Sequence, residues 1–305
     1  MAGAAYASHT RIRGGDVARS VGPAGRMRIG RALGALRERA GLTQAQVAAA
    51  ASVSVGTVNR YEAWQDRSAL RIPTVRAIAD ACGASDEERE ELVRVASTHD
   101  EGWWLETAAA LPEILSPLVS FESYAAYEHV WANQLVPGLL QTPAYALALH
   151  QAAHPRTDTD TIRATVDARM RRQEVLGADL HLWVVLKESV LQDRVGSGAV
   201  MAEQIGHLID ASREPHITVQ VLPHEAGHVA GAGGGHFVIL GREDTADPMA
   251  SMSVVYLELL HRGLYLDAGD DVREYRMIFD HLRSEAASAA HSRTLMDHAR
   301  QEHTR

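Results

Sequence analysis

LTQAQVAAAASVSVGTVNRYE, residues 42–62, decides how this chain is read. It spells two short helices around a tight turn. Thr43 is placed to cap the first, Gln44 to about Ala50, and Ser54 to cap the second, Val55 to about Glu62, with Ala51–Val53 as the turn. Ser and Thr suit both places because a hydroxyl accepts a hydrogen bond from the free N–H groups at a helix start. Val47, Ala48, Val53, Val58 and Tyr61 recur at helical spacing and face one small core. The same spacing turns Gln44, Ser54, Val55, Gly56, Thr57, Asn59 and Arg60 outward. A short helix with such a small, polar face fits the DNA major groove.

Working outward, Ile29, Leu33, Leu36 and Ala40 predict a helix over Arg28–Ala40, ended by Gly41. Pro73 opens a fourth helix that runs to Cys82, where the lone cysteine reads as core. Asp86–Ser97 is a fifth, with Leu92, Val93 and Ala96 inward. The expectation is an all-α helix-turn-helix bundle of about five helices over residues 27–99. Residues 1–26, with Arg11, Arg13, Arg19 and Arg26, read as a disordered basic arm. It either tracks a DNA groove or is a leader without a role. Glu101–Trp104, with Gly102 and the Trp103–Trp104 pair, reads as a hinge.

The net charge of −9 hides a split: +7 over residues 1–80 and −16 over residues 81–305. A basic end on an acidic body is what a protein needs when only that end meets phosphates. One cysteine excludes an intrachain disulfide and a Cys-based zinc site. No apolar run reaches the roughly 18 residues of a membrane span, and no secretory signal is visible, so a cytoplasmic, nucleoid-associated protein is expected.

The order of helix, LTQAQVA, three-residue turn, SVGTVNRYE, loop and helix resembles the Cro/phage-repressor (XRE) type of helix-turn-helix regulator. That resemblance implies that Gln44 braces against a phosphate and that Ser54, Val55, Gly56 and Arg60 approach the bases. It also implies a structural salt bridge between Arg37 and Glu62. Val55 and Gly56 stand where the family often carries longer polar side chains. Base reading therefore falls mainly on Arg60, Asn59 and Thr57, since an Arg bidentate to guanine is the commonest specific contact.

Residues 100–291 predict an α+β domain: a small sheet with flanking helices. Helices are expected over Leu118–Ala132, Thr142–Ala146 onward with Pro143 in the first turn, Thr159–Leu176, Val200–Ala211 and Asp270 to about Ala290. In Thr159–Leu176, Arg169, Arg171 and Arg172 read as solvated or paired with local acids, with a phosphate-binding patch as the alternative. Strands are expected at His181–Leu186, Ile217–Leu222, His236–Leu240, Ser253–Leu259 and Leu264–Leu266. Residues 292–305 read as a frayed tail. VPGLLQTPAYA, ARMRRQEVL, WVVLKESVLQDRVG, ITVQVLPHEAGHVAGAGGGHFVIL and VVYLELLHRGLYL, in this order, resemble the C-terminal domain of actinobacterial WhiJ-like regulators. The resemblance implies a transcriptional regulator with a small partner protein encoded nearby, in toxin–antitoxin-like or developmental pairs. It implies no known ligand.

His224-Glu225-Ala226-Gly227-His228 spells H-E-x-x-H. On a helix this would aim two imidazoles at a zinc ion, with Glu225 as general base and His236 as a third ligand. The glycines that follow each cost roughly 1 kcal/mol in a helix interior, so a glycine loop over 226–235 is expected, with no metal. The functional expectation is a dimeric, sequence-specific transcriptional regulator that binds a double-stranded operator. It needs no cofactor and is not an enzyme. Its second domain takes a small partner protein or an effector. The rivals are a helix-turn-helix-linked zinc peptidase using His224, Glu225 and His228, and an antitoxin-like protein whose main task is neutralising its partner.

Overall fold

Helical spacing and caps set the first third of the chain, and strand pairing sets the rest. The computed structural model describes residues 21–65, 69–98, 116–177, 179–229, 231, 235–244, 251–259 and 262–305. The arm over 1–20, the Trp103–Trp104 hinge and much of the glycine loop lie outside the described residues. The chain divides into two compact units, residues 1–100 and 101–305.

Among its described residues the first unit is five helices: α1 (Pro23–Arg39), α2 (Gln44–Ala50), α3 (Val55–Glu62), α4 (Ile72–Ala81) and α5 (Asp86–Ser97). Helix α1 starts five residues earlier than its apolar spacing predicts. Pro23 supplies a preset φ at the first helical position, and Ala24, Arg26 and Met27 are buried, so residues 23–26 belong to the bundle and not to an arm. Small Ala and Gly in this turn carry too little apolar pattern to reveal it. Helix α5 is capped as its sequence asks: Ser85 and Glu88 form a reciprocal capping box. Its inward face is Leu92 and Val95; Val93 and Ala96 are only half-buried. Arg39 from the end of α1 chelates the same Glu88 at 2.5 and 2.8 Å. The Arg39 guanidinium and the Ser85 amide hold the Glu88 carboxyl down at about 2.

The second unit is α+β. A six-stranded sheet has the order β3-β2-β1-β4-β5-β6, from β1 (Tyr127–Ala132), β2 (His181–Lys187), β3 (Ile217–Leu222), β4 (Phe237–Arg242), β5 (Met252–Leu259) and β6 (Arg262–Leu266). Strands β1, β2 and β3 run parallel; β4, β5 and β6 join antiparallel. The parallel links need long crossovers, and helices supply them. Between β1 and β2 lie α7 (Pro143–Ala153) and α8 (Thr159–Arg172); between β2 and β3 lie α9 (Ser189–Gln192) and α10 (Gly198–Ala211). Helix α6 (Ser116–Glu122) precedes the sheet, and α11 (Gly269–Glu285) and α12 (Ala289–His303) follow it. On one sheet face Trp131, Val185, Phe237, Ile239 and Val255 pack against Val272, Phe279 and Leu282 of α11.

Three expectations are corrected here. Leu118–Ala132 is not one helix: α6 ends at Glu122, and Tyr127–Ala132 is strand β1 inside the sheet. The helix expected over Asp270–Ala290 is two, parted at Ala286–Ser288, with Ser288 capping α12. The expected frayed tail from residue 292 is the body of α12. Ser292 and Met296 are fully buried, and Ser292 Oγ accepts from the Val221 N–H of β3 at 2.9 Å. Gly198 at the start of α10 leaves no room for a side chain, since a Cβ there would sit 2.3 Å from the His303 carbonyl oxygen.

Candidate nucleic-acid interface

The α2–α3 pair forms as its caps dictate. Thr43 and Gln46 make a capping box on α2, and Ser54 Oγ accepts from the Thr57 N–H at 3.1 Å on α3. Between them Ser52 takes a left-handed φ of 55°, and the Val53 N–H returns to the Ala48 carbonyl at 2.9 Å. Polar Ser tolerates this conformation where a branched residue would be strained. Val47, Ala48, Val58 and Tyr61 are buried, and Val53 is half-buried.

The opposite side of α3 is left to solvent. Ser54, Val55, Gly56, Asn59 and Arg60 are exposed and Thr57 is half-buried. At about 100° per residue, Gly56 points straight away from the buried Val58–Tyr61 stripe, with Asn59 and Arg60 on either side. Val55 keeps 47% of its surface in water, an apolar side chain at the leading turn of the helix. Ser54, Thr57 and Arg60 are linked in a row: Ser54 Oγ lies 2.9 Å from Thr57 Oγ1, and Arg60 Nη2 donates to Thr57 Oγ1 at 3.2 Å. A Cβ on Gly56 would meet only Ser54 Oγ, at 3.8 Å. Nothing among the described residues of the unit demands glycine there, although glycine weakens a helix interior by roughly 1 kcal/mol.

One carboxylate ties the motif together. Glu62, at the end of α3, accepts from Arg37 Nε at 2.7 Å and Nη2 at 3.1 Å. Gln44 Nε2 donates to it at 2.8 Å, and Arg37 Nη1 reaches the Leu42 carbonyl at 3.3 Å. The ends of α1 and α3 and the start of α2 therefore share one hydrogen-bonded node. The hydrogen bond to Glu62 raises the Arg37 guanidinium above its ordinary value. The Gln44 amide group is turned inward onto this node. Arg37→Ala or Glu62→Ala is expected to cost the first unit about 2–3 kcal/mol, because the remaining charge is half-buried without its partner. Hydrogen exchange of the α3 amides in the full chain reads this directly. Protection equal to wild type would remove the node from the account.

The H-E-x-x-H segment does not form the helix its zinc reading requires. His224–Ala226 is a single 3-10 turn, and Gly227 follows at φ 69°. His224 is engaged elsewhere: its N–H donates to Glu188 Oε2 at 2.7 Å, and Nε2 lies 3.0 Å from Gln192 Oε1. Among the described residues no group of three or more His, Cys, Asp or Glu is placed to hold a metal ion. Two of the three arginines in the last turn of α8 are also placed differently from the expectation. Arg171 is exposed, but Arg172 is buried on Glu122, 50 residues away, and Arg169 is half-buried on Gln141. The sequence reading missed Glu122 and Glu128 as interior groups. A carboxylate inside a helical pattern looks like solvated surface until its partner is known.

With this geometry in view, comparison with known protein families bears on both units. Residues 28–92 match the family described as a helix-turn-helix domain, which makes the first unit a DNA-binding domain of the kind found in regulators. Residues 115–298 match the family described as a domain of unknown function, DUF5753. That match spans more than half of the chain, and the chain belongs to the DUF5753 family. No curated protein and no solved structure matches it. Among the described residues no helix is long and apolar enough to cross a membrane.

Proposed function

We propose that this chain is a sequence-specific transcriptional regulator of the Cro/repressor (XRE) type, dimeric on an inverted-repeat operator. The observation that carries the reading is the exposed face of α3. Val55, Gly56, Asn59 and Arg60 stand in water on a helix whose other side is locked by Val58, Tyr61 and the Glu62 node. In a dimer the two α3 helices enter successive major grooves, roughly 34 Å apart. Arg60 reads guanine, Asn59 adds an amide contact, and Val55 meets a thymine methyl. Bare Gly56 lets the duplex approach the helix backbone. Ser54 and Thr57 supply hydroxyls at the leading end, and Gln44 braces near a phosphate through the face it does not spend on Glu62.

The second unit, on this reading, takes a small partner protein or an effector, as the WhiJ-like resemblance implies, and the occupied state shifts operator affinity. Couplings of this kind amount to roughly 1–3 kcal/mol. The protein acts in the cytoplasm, at the nucleoid.

Mapping bound DNA across the genome supplies the operator for the test. On that operator, the full chain carrying Arg60→Ala is expected to lose about 1–3 kcal/mol of specific binding and to relax its preference at one base pair per half-site. Equal affinity of variant and wild type would sink the assignment of Arg60 to base reading. Co-purification with the product of the neighbouring gene checks the partner.

A further inference from the structure

The second unit holds buried polar groups that its own fold does not satisfy. Arg172 and Glu122 form a complete pair, with Arg172 Nε on Glu122 Oε2 at 2.7 Å and Arg172 Nη2 on Glu122 Oε1. Beside it, Glu128 of β1 is 2% exposed and its Oε2 has no hydrogen-bond partner. Tyr256 of β5 is 1% exposed and its hydroxyl has none. These two share a sheet face: Val130 pairs with Val238 and Val238 with Tyr256, and Glu128 lies two residues from Val130. The charge of Arg172 acts on both. Buried polar atoms are normally paired, so two orphans on one face near a guanidinium call for an explanation.

Arg169 adds to the imbalance. It stands one turn before Arg172 on α8, and its hydrogen bond goes to the neutral amide oxygen of Gln141. Burial, and then the charge of Arg172, press its guanidinium down to about 10, which leaves it charged at neutral pH. Burial, and then Glu122, push the Glu128 carboxyl well above the usual carboxylate range, which favours its protonated form. Two guanidinium cations thus face one buried carboxylate, Glu122; the other carboxylate that acts on Arg169, Glu258, is exposed on β5. Both guanidinium groups also turn an Nη1 toward Gly138: a Cβ there would lie 3.2 Å from that of Arg172 and 3.9 Å from that of Arg169. Glycine keeps a side chain out of the space beside the two cations. Isolated buried charge is costly, and a bound anion offsets it.

We propose that Arg169 and Arg172, with Glu128 and Tyr256 on the sheet face, bind a small organic anion through its carboxylate or phosphate group. The anion receives charge-assisted hydrogen bonds from the guanidinium groups, one from the Tyr256 hydroxyl and one from the Glu128 carboxyl in its protonated form. Arg169 is half-buried, whereas Arg172 is buried. As the effector of a regulator, this ligand rests on the function proposed above; as a bound anion it does not.

The test is calorimetric titration of the full chain, without DNA, using inorganic phosphate in one series and succinate in another. Saturable binding of either is expected, and the series that binds identifies the recognised group. Arg169→Gln is expected to weaken it about tenfold or more, whereas Arg171→Gln, an exposed neighbour on the same helix, leaves it unchanged. Tyr256→Phe removes only the orphan hydroxyl and is expected to weaken binding about threefold or more without loss of stability. Binding of neither anion overturns the proposal, as does equal loss in the Arg169 and Arg171 variants. Unaltered affinity in Tyr256→Phe removes the tyrosine from the site. A chain that binds the anion but no DNA would overturn the regulator reading alone.

Discussion

Glu122→Gln is expected to destabilise the second unit by about 3–5 kcal/mol. Arg172 would then lie buried beside a neutral amide, and a guanidinium cannot shed its charge to escape. Burial alone lowers the tendency of Arg172 to stay charged; the Glu122 carboxylate more than reverses that, raising it. The cost comes from stranding one charge and not from the net worth of the pair. The double variant Glu122→Gln with Arg172→Met is therefore expected to recover most of the loss, because both charges leave together. Hydrogen exchange at the β1 amides of the full chain, taken with a denaturant midpoint, measures both. A single variant as stable as wild type would contradict a buried pair. A double variant worse than the sum of the singles would show that the pair positions its neighbours beyond cancelling charge.

Gly30→Val is expected to cost the first unit about 3 kcal/mol and to abolish operator binding. A Cβ at Gly30 would lie 2.5 Å from the Glu62 carbonyl oxygen and 3.0 Å from its carbonyl carbon. Both are backbone atoms of the last turn of α3, so no side chain can swing aside. Helix α1 would have to withdraw, pulling Arg37 from Glu62 and releasing the base of α3. Gly34, one turn along, is the contrast: a Cβ there meets nothing within 4 Å. Gly34→Ala is expected to stabilise by about 0.5–1 kcal/mol through helix propensity alone. Thermal melting of the two variants in the full chain separates contact from propensity. Loss of stability in both would mean that the packing at Gly30 is not the cause.

The helix-turn-helix was legible because its determinants are local. Thr43 and Ser54 accept from N–H groups three residues on, Pro73 presets φ at a helix start, and Val47, Val58 and Tyr61 report a periodicity within one turn or two. The inward faces of α2 and α3 and the outward placement of Arg60 follow from that alone. The five strands expected between His181 and Leu266 were legible too, since branched and aromatic runs bounded by turn residues carry their own signal. Strand β1 was not. Its burial is continuous over Val130, Trp131 and Ala132, because a strand inside the sheet is covered on both faces. Without alternation, Phe121, Tyr124, Ala125 and Val130 fit a helical period equally well. The tail failed for a similar reason: α12 has a polar composition, and what fixes it is distant, namely the Val221 N–H on Ser292 and the core around Met296.

The sequence by itself determined where the helix-turn-helix lies, which residues cap it and which side of α3 meets solvent, since each depends on neighbours a few positions away. Only the tertiary structure decided that Gln44 serves the Glu62 node, that His224 is engaged by Glu188 and Gln192, and that β1 takes its place between β2 and β4. It alone placed Glu122 on Arg172 and left Arg169, Glu128 and Tyr256 short of partners. Charges and orphaned hydroxyls gain their meaning from what stands beside them, and strand pairing and helix docking bring those neighbours from tens of residues away.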